Sequence, residues 1–140
     1  MKIRTKAREI ALQYLYQVDI TKNHTEDTLR DFIGHFVEDR DVVPYAHDLI
    51  NGVYTHLHRI DELIEAASKN WSVSRMSTTD RNILRIATYE LVFKPDIPYK
   101  VAINEGIELA KKFGSPRFPA FANGVLDRVR TEASSDENPG

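Results

Sequence analysis

The sequence predicts an all-α protein, and three observations carry that prediction. Apolar residues recur at three- and four-residue spacing through one segment after another, the period of a helix face. No stretch of useful length alternates apolar and polar as a half-buried strand does. One segment, Arg81 to Phe93, sets Ile83, Leu84, Ile86, Ala87, Leu91 and Val92 too far round for a single surface stripe. It is therefore expected to be largely buried, the element on which the others pack.

Taken in order, Lys6 to Val18 is the first helix, with Ala7, Ala11, Tyr14, Leu15 and Val18 in one stripe and Lys6, Glu9, Gln13 and Gln17 pointing away. Asp19 to His24 is a polar connector, and Thr25 suits the N-cap of a second helix in which Leu29, Phe32, Ile33, Phe36 and Val37 face inward. Asp39 to Asp41 breaks that helix. Pro44, tolerated in a first turn, opens a third with Tyr45, Leu49, Ile50, Val53 and Leu57 inward, so three helices with short links make one bundle. A shorter helix, Ile60 to Ser68 with Asp61 as its cap, leads through a connector bearing the only tryptophan, Trp71, to the central helix. Ser77 caps that helix and Asp80 takes its N3 position. Pro95 and Pro98 end it, Val101 to Phe113 follows and stops at Gly114, a natural C′ residue, and Phe121 to Val129 completes a second bundle. About seven helices are thus expected in one domain, residues 1–130, with sub-bundles at about 1–60 and 61–130. Residues 131–140 lack an apolar period and are expected to form a disordered acidic tail.

Composition narrows the chemistry. The 140 residues are enough for one ordinary domain with a real core. The absence of cysteine removes thiol chemistry, disulfides and cysteine-based zinc sites, and fits the cytoplasm. Neither a signal-peptide core nor an apolar run of membrane-spanning length is present, so no membrane contact is expected. Net charge is −2 and the isoelectric point about 6.2, but the charge is unevenly spread. The overall charge gives no reason to expect nucleic acid, but Lys2, Arg4, Lys6 and Arg8 crowd the N-terminus with Glu9 as the one acid beside them, so if a polyanion binds, it binds there.

On the first helix, Gln13 and Tyr16 add an amide and a ring to those cations, the parts needed for single-stranded RNA. The same residues also suit an ordinary solvated face with a rim tyrosine. Catalytic signatures are missing: no glycine-rich phosphate loop, no nucleophile elbow and no H-E-x-x-H. His47, His56 and His58 are not spaced to share a metal, and no cofactor or metal site is expected. Glu90, Glu105 and Asn123 lie in strongly apolar helical sequence and need partners. For Glu90 the expected partners are backbone N–H groups at a helix N-terminus of the second bundle.

Three blocks of this sequence then resemble the NusB family of bacterial transcription antitermination factors. They are Arg8-Glu9-Ile10-Ala11-Leu12-Gln13-Tyr14-Leu15-Tyr16, Asp80 through Leu91, and Pro98-Tyr99-Lys100-Val101-Ala102-Ile103-Asn104-Glu105 continuing through Lys111-Lys112-Phe113-Gly114 to Asp127. The resemblance spans Lys2 to Val129. It implies an all-α, NusB-like fold of two three-helix bundles without catalytic activity. It also implies RNA binding: boxA, a single-stranded sequence in the leaders of ribosomal RNA operons, recognised with NusE, a small-subunit ribosomal protein, as heterodimer partner. The pair helps the RNA polymerase elongation complex read through terminators.

Carried over residue by residue, the resemblance places RNA contacts at Arg4, Lys6 and Arg8, with Lys2, Gln13 and Tyr16 on the same segment, and a contact to NusE at Asp80. The chain departs from the family pattern in two places. Thr5 and Lys6 interrupt a usually denser arginine run, implying weaker RNA affinity for the protein alone. The turn after Gly114, often acidic in the family, reads Ser115-Pro116-Arg117-Phe118-Pro119, and no contact is carried onto it. Two other readings stand beside this one: a helical adaptor that self-associates through exposed aromatics, and the RNA-binding appendage of a ribosomal RNA methyltransferase, against which the chain length argues.

Overall fold

A computed structural model describes residues 2–69 and 71–137, with 134–137 as backbone. Among the described residues seven α-helices follow one another: α1 (Ile3–Thr21), α2 (Glu26–Phe36), α3 (Val43–Thr55), α4 (Leu57–Ala67), α5 (Thr78–Phe93), α6 (Tyr99–Phe113) and α7 (Phe118–Glu137). Single 3-10 turns occupy Arg40–Val42 and Val73–Arg75, and no strand occurs among the described residues.

The stop and start signals act as their chemistry dictates. Thr25 Oγ1 accepts from the Thr28 N–H at 3.0 Å while Thr28 Oγ1 accepts from the Thr25 N–H at 2.8 Å, a reciprocal cap for α2. Ser77 Oγ accepts from the Asp80 N–H at 3.1 Å and opens α5. Pro44 lies in the first turn of α3, and Pro98 immediately precedes α6.

Three local expectations are corrected. The apolar period of α3 runs on into Leu57, yet the helix ends at Thr55 and α4 begins at Leu57. Asp61 is consequently inside α4 and is not its cap; its carboxylate takes Arg85 from α5, at 2.9 and 3.0 Å. Phe36, the last residue of α2, is 58% exposed instead of facing the core, and the extended residue after it, Val37, is buried. Helix α7 is described as far as Glu137, and residues 138–140 of the expected tail lie outside the described residues.

Helix α5 is the hub. Ile83, Leu84 and Ile86 are fully buried, and the helix packs against α1, α3, α4, α6 and α7. Helix α1 packs on α3 within the first bundle and on α5 of the second, while α6 and α4 flank α7. Apolar burial is continuous from Ala7 to Val129, so the bundles share one core. A polar seam crosses it at one end: Asp19 of α1 accepts from Arg81 at 2.7 Å, Asn82 at 2.9 Å and Arg85 at 3.3 Å. Burial alone would raise the Asp19 pKa, but the Arg81 and Asn82 hydrogen bonds and the charge of Arg85 outweigh it and hold the carboxyl below its usual value.

The packing of α3 on α5 depends on a missing side chain. The Tyr89 ring lies directly over Gly52, where an added Cβ would fall 2.0 Å from Cζ, and this approach lets the hydroxyl donate to Asp48 at 2.7 Å. Gly52→Ala is expected to lower the unfolding free energy by about 1–3 kcal/mol, the usual cost of overpacking. Urea unfolding checks this; an unchanged midpoint would show that the ring moves freely aside.

Candidate nucleic-acid interface

An α-helix turns by about 100° per residue, so the N-terminal cations cannot share one face. Within α1, Lys6, Gln13 and Tyr16 point outward together, whereas Arg4 and Arg8 leave from the opposite side; Lys2 precedes the helix as its N-cap, with extended backbone. Lys2 and Lys6 are exposed, and among the described residues neither has a carboxylate within ion-pair reach. Arg4 is half exposed; its guanidinium lies 4.9 Å from the centre of the Tyr45 ring and 3.8 Å from Asp96.

Arg8 is buried and paired, not presented to solvent as the expected RNA contact requires. It is 3% exposed, and its Nε and Nη2 form a fork on the Glu90 carboxylate at 2.8 and 2.8 Å. Its Nη1 lies 3.3 Å from Glu105. Burial works against the charge of Arg8, yet the hydrogen bonds and charge of Glu90 prevail and raise its pKa above the usual value. Glu90 also accepts from the Tyr45 hydroxyl. Its partners are therefore side chains of α1 and α3, not the helix N-terminus expected. Burial and the Glu90 charge push the Tyr45 pKa upward, so the phenol remains a donor. Glu105 is 22% exposed and accepts from Thr5 at 3.1 Å; Asn123 is exposed and has no burial to offset.

Asp80 is also corrected: it is 9% exposed and is not presented freely to a partner. Its carboxylate accepts from the Ser115 N–H at 3.2 Å and the Ser115 hydroxyl at 2.9 Å, tying the start of α5 to the turn after α6. Gly114 permits this approach. Its φ is −80°, so no left-handed conformation is needed, but a Cβ there would meet Ala110 O and Phe118 at 2.8 Å and Asp80 at 3.1 Å.

That turn sets the end of α6 beside α1. Lys6, Ile10, Gln13 and Tyr16 from α1, Thr79 from α5 and Phe113 from α6 line an open groove of about 460 Å³. Tyr16 and Phe113 are each 43% exposed. The groove thus offers a free ammonium for phosphate, an amide for base edges and two rings for stacking. Sequence reasoning missed Phe113 and Thr79. The signal for Phe113 was present in Lys111-Lys112-Phe113, a ring joined to two cations at a helix end, whereas Thr79 reaches the groove only through tertiary packing.

The histidines take unrelated places: His56 stacks on Phe93 with ring centres 3.9 Å apart, His47 meets Asn51 at 2.7 Å, and His58 is exposed. Among the described residues no three His, Asp or Glu side chains are grouped to hold a metal ion, and no helix is long and apolar enough to cross a membrane.

A helical scaffold whose buried charges serve packing and whose outward face gathers cation, amide and rings defines a binding protein suited to RNA. The model of the NusB family matches residues 5–131. The chain is 47% identical over 137 residues to Transcription antitermination protein NusB of Trichlorobacter lovleyi, covering 98% of this chain and 96% of that one. It is 50% identical over 127 residues to the protein of that name from Anaeromyxobacter dehalogenans, covering 90% and 89%. Among solved structures it is similar to T. maritima NusB, with a TM-score of 0.83, 35% identity and coverage of 96% and 94%. It is also similar to a chain of the crystal structure of antitermination factors NusB and NusE in complex with dsRNA, with a TM-score of 0.82, 26% identity and coverage of 94% and 98%. The chain belongs to the NusB family.

Proposed function

We propose that this protein is an RNA-binding transcription antitermination factor, active in the cytoplasm and without catalysis of its own. It recognises boxA RNA of ribosomal RNA operons together with a NusE-type ribosomal protein and promotes read-through by RNA polymerase. The observation that carries this reading is the outward face of α1 joined to the end of α6, on a chain similar to one solved with NusE and RNA. Lys2, Lys6, Gln13, Tyr16 and Phe113 contact the RNA, and Arg4 contributes at the edge. Arg8 serves by holding α1 in place. Asp80 acts toward the partner through the Gly114–Ser115 turn that it fixes.

Fluorescence anisotropy tests this with a boxA-like single strand, a scrambled strand and a duplex, each with and without NusE-type protein. The boxA-like strand is expected to bind best, and the partner to widen its margin over the scrambled strand. Equal binding of the two single strands with partner present would remove sequence recognition. Self-association in place of RNA binding would favour the adaptor reading.

A further inference from the structure

On α1, Glu9 lies three residues after Lys6 and four before Gln13, so a carboxylate sits in the middle of the face assigned to RNA. It lines the groove of Tyr16 and Phe113 on one side and the neighbouring cleft of α1 and α6 on the other. A bare carboxylate there would repel phosphate. It is not bare: both its oxygens meet the Lys112 Nζ, at 3.0 and 3.1 Å. Glu9 is 22% exposed and Lys112 53%, so the acceptor is sheltered while the cation stands at the surface. The same ammonium lies 5.3 Å from the centre of the Phe113 ring, beside the groove itself. Lys111 differs, since its partner Glu108 is on its own helix, 3.5 Å away, with both side chains well exposed.

We propose that Glu9 attenuates RNA binding by sequestering Lys112, so that the α6 cation nearest the groove is spent on a carboxylate instead of an RNA phosphate. This rests on the α1 and α6 face being the RNA site. The consequence is a lower affinity and a shallower salt dependence than the cations of this face could give, leaving discrimination to the amide and the rings. An exposed cross-helix pair of this kind is weak enough to be redirected by one substitution.

The test uses the full chain with NusE-type protein and a boxA-like single strand across a salt series, comparing Glu9→Gln, Lys112→Ala, the double variant and Tyr16→Ala. Glu9→Gln is expected to bind about two- to five-fold tighter. Its log–log salt slope steepens by about 0.7, the counterion released when one more single-strand phosphate is neutralised. Lys112→Ala alone bares the Glu9 carboxylate and weakens binding, but it removes no phosphate contact and so keeps close to the wild-type slope, and adding it to Glu9→Gln returns the slope to that value. Unchanged or weaker binding by Glu9→Gln overturns the proposal. So does tightening at constant slope, which would mean relief of repulsion without release of Lys112, or a flattened slope in Lys112→Ala alone, which would put Lys112 already on the RNA. Tyr16→Ala separates the two levels: weaker binding by that variant with no gain from Glu9→Gln sinks only the role of Glu9, whereas no effect of either sinks the RNA face.

Discussion

Arg8→Met is expected to lower the unfolding free energy by about 3–5 kcal/mol, and Glu90→Leu by a similar amount, because each leaves the other charge buried without its partner. Both side chains are nearly inaccessible, at 3% and 1% exposure, so water cannot take the place of the missing group. The pair joins α1 to α5 across the two bundles, and Tyr45 adds α3 to the same carboxylate. Removing both charges is a different case, since a buried pair replaced by apolar groups of similar volume is often neutral. A Tyr45 hydroxyl left without Glu90 would still cost about 1–3 kcal/mol, so Tyr45→Phe belongs in the compensated variant. Arg8→Met, Glu90→Leu and Tyr45→Phe together are expected to recover most of the stability that either charge substitution alone removes. Urea unfolding of wild type, the two single variants and the triple variant checks this. Decreases below about 1 kcal/mol in the single variants would show that the cluster relaxes or hydrates, against the geometry described.

Arg8 shows how far the sequence can be read. In the chain it belongs to a run of alternating cations, and by composition it is equivalent to Lys6. The helical period separates them: Arg8, Leu12 and Leu15 are related by four and seven residues, and both leucines are buried. That signal is present in the sequence but is outweighed there by the density of positive charge. Glu90 is legible as a buried charge, because α5 is apolar almost all round. Its partners are not, because Arg8 and Tyr45 come from other helices at distances in sequence that no local pattern encodes.

The same distinction explains the rest. Helix starts at Thr25, Pro44 and Ser77 are set by neighbouring residues and can be read from them. Asp80 reads as exposed because a first-turn acid usually is, and only Ser115, folded back from the end of α6, covers it. The α3–α4 junction is hidden by an apolar period that continues through Leu57 although the backbone breaks at His56. Half of the proposed RNA groove is legible on α1, Phe113 has a local sign in the two lysines before it, and Thr79 enters only through the packing of α5.

Tyr16→Ala and Phe113→Ala are each expected to weaken boxA-like RNA binding by about 1–3 kcal/mol while leaving the salt slope nearly unchanged, since stacking neutralises no phosphate. The Lys2→Ala and Lys6→Ala double variant should behave in the opposite way. Its affinity falls mainly at low salt, and its slope flattens by about 1.4, or 0.7 for each single-strand phosphate no longer neutralised. The contrast follows from the structure, because among the described residues the two lysines are exposed, unpaired cations at the start of α1, while the rings, half exposed, line the groove with Lys6 from two different helices. Combining the ring substitutions locates the bases. If Tyr16 and Phe113 stack on separate bases their effects add, and if they clamp the same base the second substitution costs much less than the first. All four positions lie outside the buried core, so helicity and thermal midpoint should remain close to wild type. A folded Tyr16→Ala protein that binds boxA-like RNA with full affinity beside the NusE-type partner would leave α1 as a solvated helix face and move the RNA site elsewhere.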